Sequence, residues 1–409
     1  MARKNTAAIV TVGSELVEGL RVDANTAHIA RRVANLGFAV VEAVSVGDNV
    51  DHLSSTIHRL SGAYGLVIVT GGLGPTHDDV TREAAGVALD LELREDPEVV
   101  LWLSEVAMRH NDPDSRREVL KQALVLSGAE ILWPMTGTAP GQILDTPGGR
   151  LVLLPGPPAE MAEMLERALA GYEAVTADPR ELGVVGMAES DVQHAAQRGL
   201  RGHSGVVLTV LAKPGDVRVV LMDDGAGTAG LQRAVDAVAD EIGVACYTRT
   251  GQSLAESTLD ALRSENITLA FAESCTGGLM SSALTEIPGA SLVFRGAVVS
   301  YANEVKRDIL GVPGSLLDEF GAVSEQVAVA MAEGVRARLD ADIAVSVTGV
   351  AGPAGGSTDK PVGLVWFAVA DSSGTRTCSR HFVRGARDSI RARAASTALD
   401  LARRHVLGV

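Results

Sequence analysis

The sequence predicts an α/β protein: two three-layer α/β domains with mostly parallel or mixed sheets, joined by a small α+β module. Three observations predict it. Short apolar runs alternate with helical patterns over residues 1–174 and again over 251–409. Between them, over 175–250, two β-type runs flank a tight-turn tetrapeptide. Apolar residues make up 46% of the 409 residues but aromatics only 3%, so the cores are built from Ala, Val, Leu and Ile, as β-branched strands under Ala/Leu-rich helices.

Taken in order, residues 8–12 read as a strand stopped by Gly13. Residues 27–36 carry apolar positions at helical spacing, and Gly37 suits the helix end. Residues 39–46 read as a strand. Residues 66–70 form a buried-type strand ending in Gly71-Gly72, and 151–154 form another ending in Pro155-Gly156-Pro157-Pro158. In the middle module 189–200 is helical. There 206–211 and 217–222 flank Lys213-Pro214-Gly215-Asp216, a hairpin signal. The last stretch shows strands at 267–272, 294–301, 343–348, 362–370 and 377–383. Its helices are 324–339, with Ser324 as N-cap, and 387–406, with Ile390, Ala394, Ala398 and Leu401 on one face.

Charge and cysteines narrow the function classes. A net charge of −15 repels a phosphate backbone, so direct nucleic-acid binding is not expected. A small anion still binds where local N–H groups outweigh the distant field. Cys246, Cys275 and Cys378 are far apart, which points to neither a disulfide framework nor a zinc site and suits a reducing cytoplasm. The N-terminal apolar run is short and reads as a strand rather than a signal peptide. No apolar stretch reaches the ~18 residues of a membrane span.

Gly/Pro-rich segments follow the N-terminal strands: Gly13-Ser14-Glu15-Leu16 with Asp23 and Asn25, then 70–79 with Gly71, Gly72, Gly74 and Thr76, then Gly137-Thr138 with Gly141, then Pro155-Gly156. Loops at the carboxyl ends of strands in an open sheet gather into one crevice, and these are expected to form a nucleotide site. Asp78 and Asp79 are hard oxygen ligands suited to a divalent metal beside a phosphate. Read without a ligand, the same aspartates cap the helix beginning near Val80.

The C-terminal stretch carries Glu273-Ser274-Cys275-Thr276-Gly277-Gly278 after a strand, a natural phosphate seat. No Walker A pattern is present, which disfavours ATP hydrolysis. Ser291 lies in the turn Gly289-Ala290-Ser291. Lys306 lies fifteen residues on, across one strand, with Tyr301 between them. A buried lysine loses its proton more readily and can serve a serine as base, with Tyr301 relaying a proton. Singly, Ser291 reads as a turn residue, Lys306 as a solvated helix residue and Tyr301 as a strand end. Cys275, at a helix start, is the rival nucleophile.

The series VGSEL, TGGLGPTHDD, KQA, GTAPG and LPGPPAEM, over residues ~5–165, resembles the N-terminal domain of the CinA family, which is similar to molybdopterin-binding proteins. That resemblance implies ADP-ribose pyrophosphatase activity with a divalent metal (Mg, Mn or Co) at Asp78 or Asp79. The series departs from the family at Gly65 and at Trp133-Pro134-Met135-Thr136. The set ESCTGG, GAS, YANEVK, GAVSE, TGVAGPAGG and KPVGLVWFA, over ~252–407, resembles the family's C-terminal nicotinamide mononucleotide deamidase domain. That implies Ser291 as nucleophile, Lys306 as base and Tyr301 assisting, with Arg387 on a phosphate or carboxylate. It places substrate among Glu273, Ser274, Thr276, Gly277, Gly278, Asn303, Thr348, Gly349, Ala351 and Gly352, with no cofactor and a homodimer. The middle module resembles a KH-type fold without a GXXG loop, so RNA binding is not expected. Two other readings stand beside this one. In one, the N-terminal half is a non-catalytic pterin- or nucleotide-binding or dimerisation module. In the other, the chain is a competence- or DNA-damage-associated scaffold.

Overall fold

The structure is a computed structural model that describes residues 3–108, 112–173, 179–383 and 385–409. The chain divides into two compact units, residues 1–177 and 178–409.

The first unit is built on strands β1 (Arg3–Val12), β2 (Ala39–Val46), β3 (Tyr64–Thr70), β4 (Glu130–Leu132), β5 (Gly141–Thr146) and β6 (Gly149–Leu154), in the spatial order β2-β1-β3-β6-β5-β4. The four strands β2, β1, β3 and β6 run parallel; β5 and β4 are antiparallel additions. Alternation along each strand sorts side chains onto two faces. Ala8, Val10, Val67 and Val69 face helices α2 (Val50–Ala63) and α3 (Thr81–Leu89). Ala7, Ile9, Leu66 and Ile68 face α1 (Asn25–Asn35) and α4 (Pro158–Ala168). Both faces are buried, which is why the strands read as unbroken apolar runs. A small antiparallel pair, Leu93–Glu95 with Leu124–Leu126, was not foreseen from sequence; three-residue strands carry too few alternations to register.

The second unit holds two sheets. The smaller has β7 (Arg180–Val184), β8 (Val206–Lys213), β9 (Asp216–Asp223) and β10 (Cys246–Thr248), all antiparallel, in the order β8-β9-β7-β10. The hairpin signal is met as read: Lys213 pairs with Asp216 across Pro214-Gly215. Helices α5 (Glu189–Gly199) and α6 (Gly227–Ile242) complete this module.

The larger sheet has β11 (Leu269–Glu273), β12 (Phe294–Val299), β13 (Ile343–Gly349), β14 (Leu364–Asp371) and β15 (Gly374–His381), in the order β12-β11-β13-β14-β15. Its first three strands are parallel. One face packs on α7 (Leu254–Ser264), α8 (Leu279–Thr285) and the long α11 (Arg387–Leu407). The other packs on α10 (Glu325–Leu339), and a short helix α9 (Asn303–Asp308) follows β12. Ser324 caps α10 by accepting from the Val327 N–H. β12 stops at Val299 rather than Tyr301. The Ser300 N–H still reaches the Glu273 carbonyl at 2.7 Å, and the chain then turns into α9. No helix among the described residues is long and apolar enough to cross a membrane.

Candidate active site

In a parallel sheet the carboxyl ends of the strands collect the loops. In the second unit β11, β12 and β13 end together, and Ser274 directly follows β11. Gly277 (φ +59) and Gly278 (φ +95) turn the chain into α8 in a left-handed conformation that suits glycine. The amides of this turn have an internal partner. The fully buried Glu273 carboxylate accepts from Gly278 N–H (2.9 Å), Met280 N–H (3.3 Å) and Ser281 N–H (3.0 Å), and from the Ser281 hydroxyl (2.5 Å). The sequence expectation of a phosphate seat here is therefore corrected. The carboxylate does inside the fold what an anion would do from outside, and Glu273 is committed to the loop rather than to substrate.

Lys306, on α9, is 1% exposed. Its ammonium donates to the Ser300 carbonyl at 2.6 Å, to Ser274 Oγ at 3.2 Å and to the Tyr301 carbonyl at 3.3 Å. No carboxylate is among these partners. Burial pushes its pKa below the ordinary lysine value, with the nearby Cys275 a weaker opposing influence. The serine beside Lys306 is thus Ser274, itself buried.

The expected pairing of Lys306 with Ser291 is not formed. Ser291 sits exposed in the turn Ala290–Leu292, just before β12, while Lys306 lies just after it. Phe294, at the start of β12, pairs with Leu269 at the start of β11, and Val299 pairs with Glu273 at its end. A six-residue strand therefore separates the two groups, roughly 20 Å at 3.3 Å per residue. The Gly289-Ala290-Ser291 turn is a structural corner, with Arg263 of α7 donating to the Pro288 carbonyl at 2.9 Å.

The mouth of the site is framed by Tyr301, Arg387 and Gly352. Tyr301 is 64% exposed, and its hydroxyl accepts from Arg387 Nη2 at 3.0 Å. Arg387 Nη1 donates to the Gly352 carbonyl at 2.6 Å. Asn303 is exposed at the first position of α9, and Ala351 is buried. Thr348 holds the Ala322 carbonyl at 2.7 Å. Gly349 abuts β14, where a Cβ would come 2.8 Å from the Leu364 carbonyl. Thr276 is fully buried, and its hydroxyl finds no partner among the described residues. Cys275 drops out as a rival nucleophile: burial pushes its thiol up to about 12, so it stays protonated at neutral pH.

Sequence reasoning missed Arg391. Its Nε donates to the Cys275 carbonyl at 3.1 Å and its Nη2 to the Thr276 carbonyl at 2.7 Å, tying the loop after β11 to α11. The available signal was its spacing: four residues after Arg387, it projects from the same helix face.

In the first unit, β1, β3 and β6 end at a cleft of about 230 Å³ whose lining includes Glu15, Asp23, Asn25, Gly71 and Gly156. Asn25 donates to the Gly156 carbonyl (2.9 Å) and to Thr70 Oγ1 (3.2 Å), and Thr70 donates to the Pro155 carbonyl (2.7 Å). The Asn25 amide oxygen is buried without a partner among the described residues. Asp23 caps α1 through the Thr26 N–H. Gly71 has φ +102, and a Cβ there would meet the Val12 carbonyl oxygen at 2.4 Å. Gly72 lies against Thr81, whose hydroxyl a Cβ there would meet.

The remaining N-terminal candidates do not line that cleft. Gly74, Thr76, Asp78 and Asp79 form the next loop, held by the buried Arg82 on the Leu73 and Gly74 carbonyls and by Lys121 on the Asp79 carbonyl. Gly137 abuts Glu160, and Thr138 bonds Gln122. Asp79 accepts from the Thr76 N–H (2.8 Å) and hydroxyl (2.6 Å), and Asp78 meets the same hydroxyl. That hydroxyl bond is the main cause holding Asp78 below the usual carboxylate range. Among the described residues no three metal-ligating side chains gather. Asp78 and Asp79 close the turn on Thr76 with Lys121 alongside, so this loop offers two carboxylates and no third metal-ligating side chain among the described residues.

Comparison with known proteins agrees with this two-unit layout. Residues 251–406 match the CinA C-terminal domain, and residues 8–173 match the family described as probable molybdopterin binding domain. The CinA-like protein of Solibacter usitatus is 37% identical across 98% of this chain and 98% of its own. That of Thermotoga neapolitana is 37% identical with the same two coverages. A solved structure, the competence/damage inducible protein CihA from Agrobacterium tumefaciens, is 44% identical over 36% of this chain and 90% of its own, with a TM-score of 0.36.

Proposed function

The chain belongs to the CinA family, and on that premise we propose that its C-terminal domain hydrolyses the carboxamide of nicotinamide mononucleotide, with Ser274 as nucleophile and Lys306 as its base. The observation that carries this reading is the 3.2 Å contact between a buried lysine, without a carboxylate partner, and a buried serine hydroxyl. Burial favours neutral Lys306, which takes the Ser274 proton as Oγ attacks the amide carbon. The loop that carries Ser274 is held in place by Arg391, which keeps Oγ beside Lys306 as the tetrahedral intermediate forms. As the C–N bond breaks, Lys306 returns the proton to the leaving nitrogen and ammonia departs. Water then attacks the nicotinoyl ester as Lys306 accepts its proton, the bond to Ser274 Oγ breaks, Lys306 passes the proton back to that oxygen, and nicotinic acid mononucleotide leaves. The positive pyridinium ring makes the amide carbon more electrophilic. At the mouth, Arg387 and Tyr301 are placed to hold the ribose phosphate.

For the N-terminal unit the cleft at Asn25, with its unpartnered amide oxygen, supports nucleotide binding. Cleavage of ADP-ribose would need a divalent metal shared between the substrate diphosphate and the two carboxylates Asp78 and Asp79, which lie in the next loop rather than in the lining of that cleft. The reading is tested by ammonia release from nicotinamide mononucleotide. Ser274→Ala and Lys306→Met should abolish it, and Ser291→Ala should leave it within about twofold. Full activity in Ser274→Ala would sink the proposed nucleophile. Turnover of ADP-ribose with Mg, Mn or Co, against a chelated control, tests the N-terminal unit separately.

A further inference from the structure

The smaller sheet of the second unit has one open side. Its edge strand is β8, Val206–Lys213, and no backbone hydrogen bond from another element reaches it among the described residues. We infer that this edge is an interaction surface for a second copy of the chain. The partner's β8 pairs with it antiparallel about a two-fold axis and joins the two four-stranded sheets into one continuous sheet.

Strand edges are ordinarily blunted by brevity, bulges or charge. Among the described residues every other edge is. β4, β10 and the small pair at Leu93–Glu95 and Leu124–Leu126 have three residues each. β2 carries Glu42, β12 carries Arg295 and a register shift, and β15 carries Arg376, Arg380 and His381. β8 has none of these devices. It is eight residues long, uncharged before Lys213, and pairs with β9 without a register shift. Lys213 and Asp216 close a two-residue turn, so theirs is a hydrogen-bonded pair. Alternation then turns the N–H and C=O of Val206, Leu208, Val210 and Ala212 outward to the open edge.

The strand is complementary to itself. A register with Thr209 on the axis keeps each face of the sheet continuous. Val207 then lies opposite the partner's Leu211, and Leu208 opposite the partner's Val210. Val207, Leu211 and Met222 share one face and are 42%, 56% and 37% exposed. Met222 is beside Val207 on β9, so pairing extends that contact into an apolar row across the axis. The ends match in charge. Lys213, its side chain 69% exposed, comes level with the partner's Gly205. Within each chain the Gly205 carbonyl accepts from the Asp224 N–H at 2.7 Å, and Asp224 is exposed. Each Lys213 thus meets a carboxylate, twice by symmetry, which offsets locally the repulsion between two chains of net charge −15. An unrelated extended peptide would supply the main-chain bonds but not this fixed carboxylate.

The test is analytical ultracentrifugation of the full chain beside Thr209→Lys and Thr209→Glu. Each variant sets like charges face to face on the axis and should weaken association at least about tenfold. An equimolar mixture sets Lys against Glu and should restore association to within about threefold of the wild type; that recovery also shows that both variants are folded. Thr209→Cys should oxidise to a disulfide-linked dimer, since residues opposite each other on the axis stand within the ~4.4–6.8 Å Cα separation of a disulfide. Leu211→Cys and the wild type should not, because the two copies of Leu211 lie roughly 13 Å apart along the strand. A wild type that sediments as a monomer overturns the proposal and leaves the edge to a strand from another protein. So do lysine and glutamate variants that associate as tightly as the wild type, a mixture that fails to recover, or a Thr209→Cys chain that does not cross-link.

Discussion

The pH dependence of the proposed deamidase reaction tests the chemistry of Lys306 directly. The perturbation is pH itself, with Lys306→Arg as the companion variant. An exposed lysine titrates at its ordinary value of 10.5, so at pH 7 roughly one molecule in 3,000 is neutral and able to accept a proton. Burial lowers that value for Lys306, and each unit of lowering raises the competent fraction tenfold. Below the folded pKa, log kcat/KM should rise with pH at unit slope. It should level off clearly below 10.5, because the neutral amine is then the major form. Lys306→Arg cannot release a proton near neutrality; it should lose the limb and retain less than about one-thousandth of the rate. Stability follows the same sign. The folded value is depressed, so between the folded and unfolded values the unfolded chain binds the extra proton and stability rises with pH. That rise should vanish in Lys306→Met. The assay is initial ammonia release across the pH range, with chemical denaturation in parallel. A plateau reached only near the ordinary lysine value, or a rate that falls as pH rises, would refute the role given to Lys306.

Two further outcomes are expected. Glu273→Gln replaces one acceptor oxygen with an amide that faces the N–H groups of Gly278, Met280 and Ser281. The cost should be ~3 kcal/mol, seen in calorimetry as a Tm lower by roughly 6–12 °C for the second unit, with ammonia release lost as the loop loosens. Gly71→Ala forces a Cβ to within 2.4 Å of the Val12 carbonyl oxygen at φ +102. It should destabilise the first unit by about 1–3 kcal/mol, while ammonia release by the second unit is unchanged.

The layers of the fold were legible because both large sheets are buried on two faces, which leaves long β-branched runs such as 64–70 and 343–349. The hairpin at Pro214-Gly215 was legible because the turn chemistry is local. The site was legible only as a set of loops. Ser291 and Lys306 are close in sequence, yet a single strand between them sends them to opposite ends of the sheet. Ser274 and Lys306, thirty-two residues apart, meet because β11 and β12 run parallel and end together. The Thr-Gly-Gly turn read as a phosphate seat because spacing shows its amides but not that Glu273, one residue before Ser274, folds back onto them. Arg391 escaped notice because its partners are loop carbonyls, which carry no side-chain signature.

Helix α11 has a consequence for how the second unit reaches its working form. Its contacts join residues far apart along the chain: Arg391 to Cys275 and Thr276 across 116 and 115 positions, Leu399 to Thr258 across 141, Arg403 to Val244 across 159. Contacts of such separation wait on the closure of a long loop and form slowly compared with hairpins and single helices. The loop after β11 therefore gains its clamp late. During refolding, helical signal should return before ammonia release does, with the interval set by docking of α11 rather than by formation of the helices themselves.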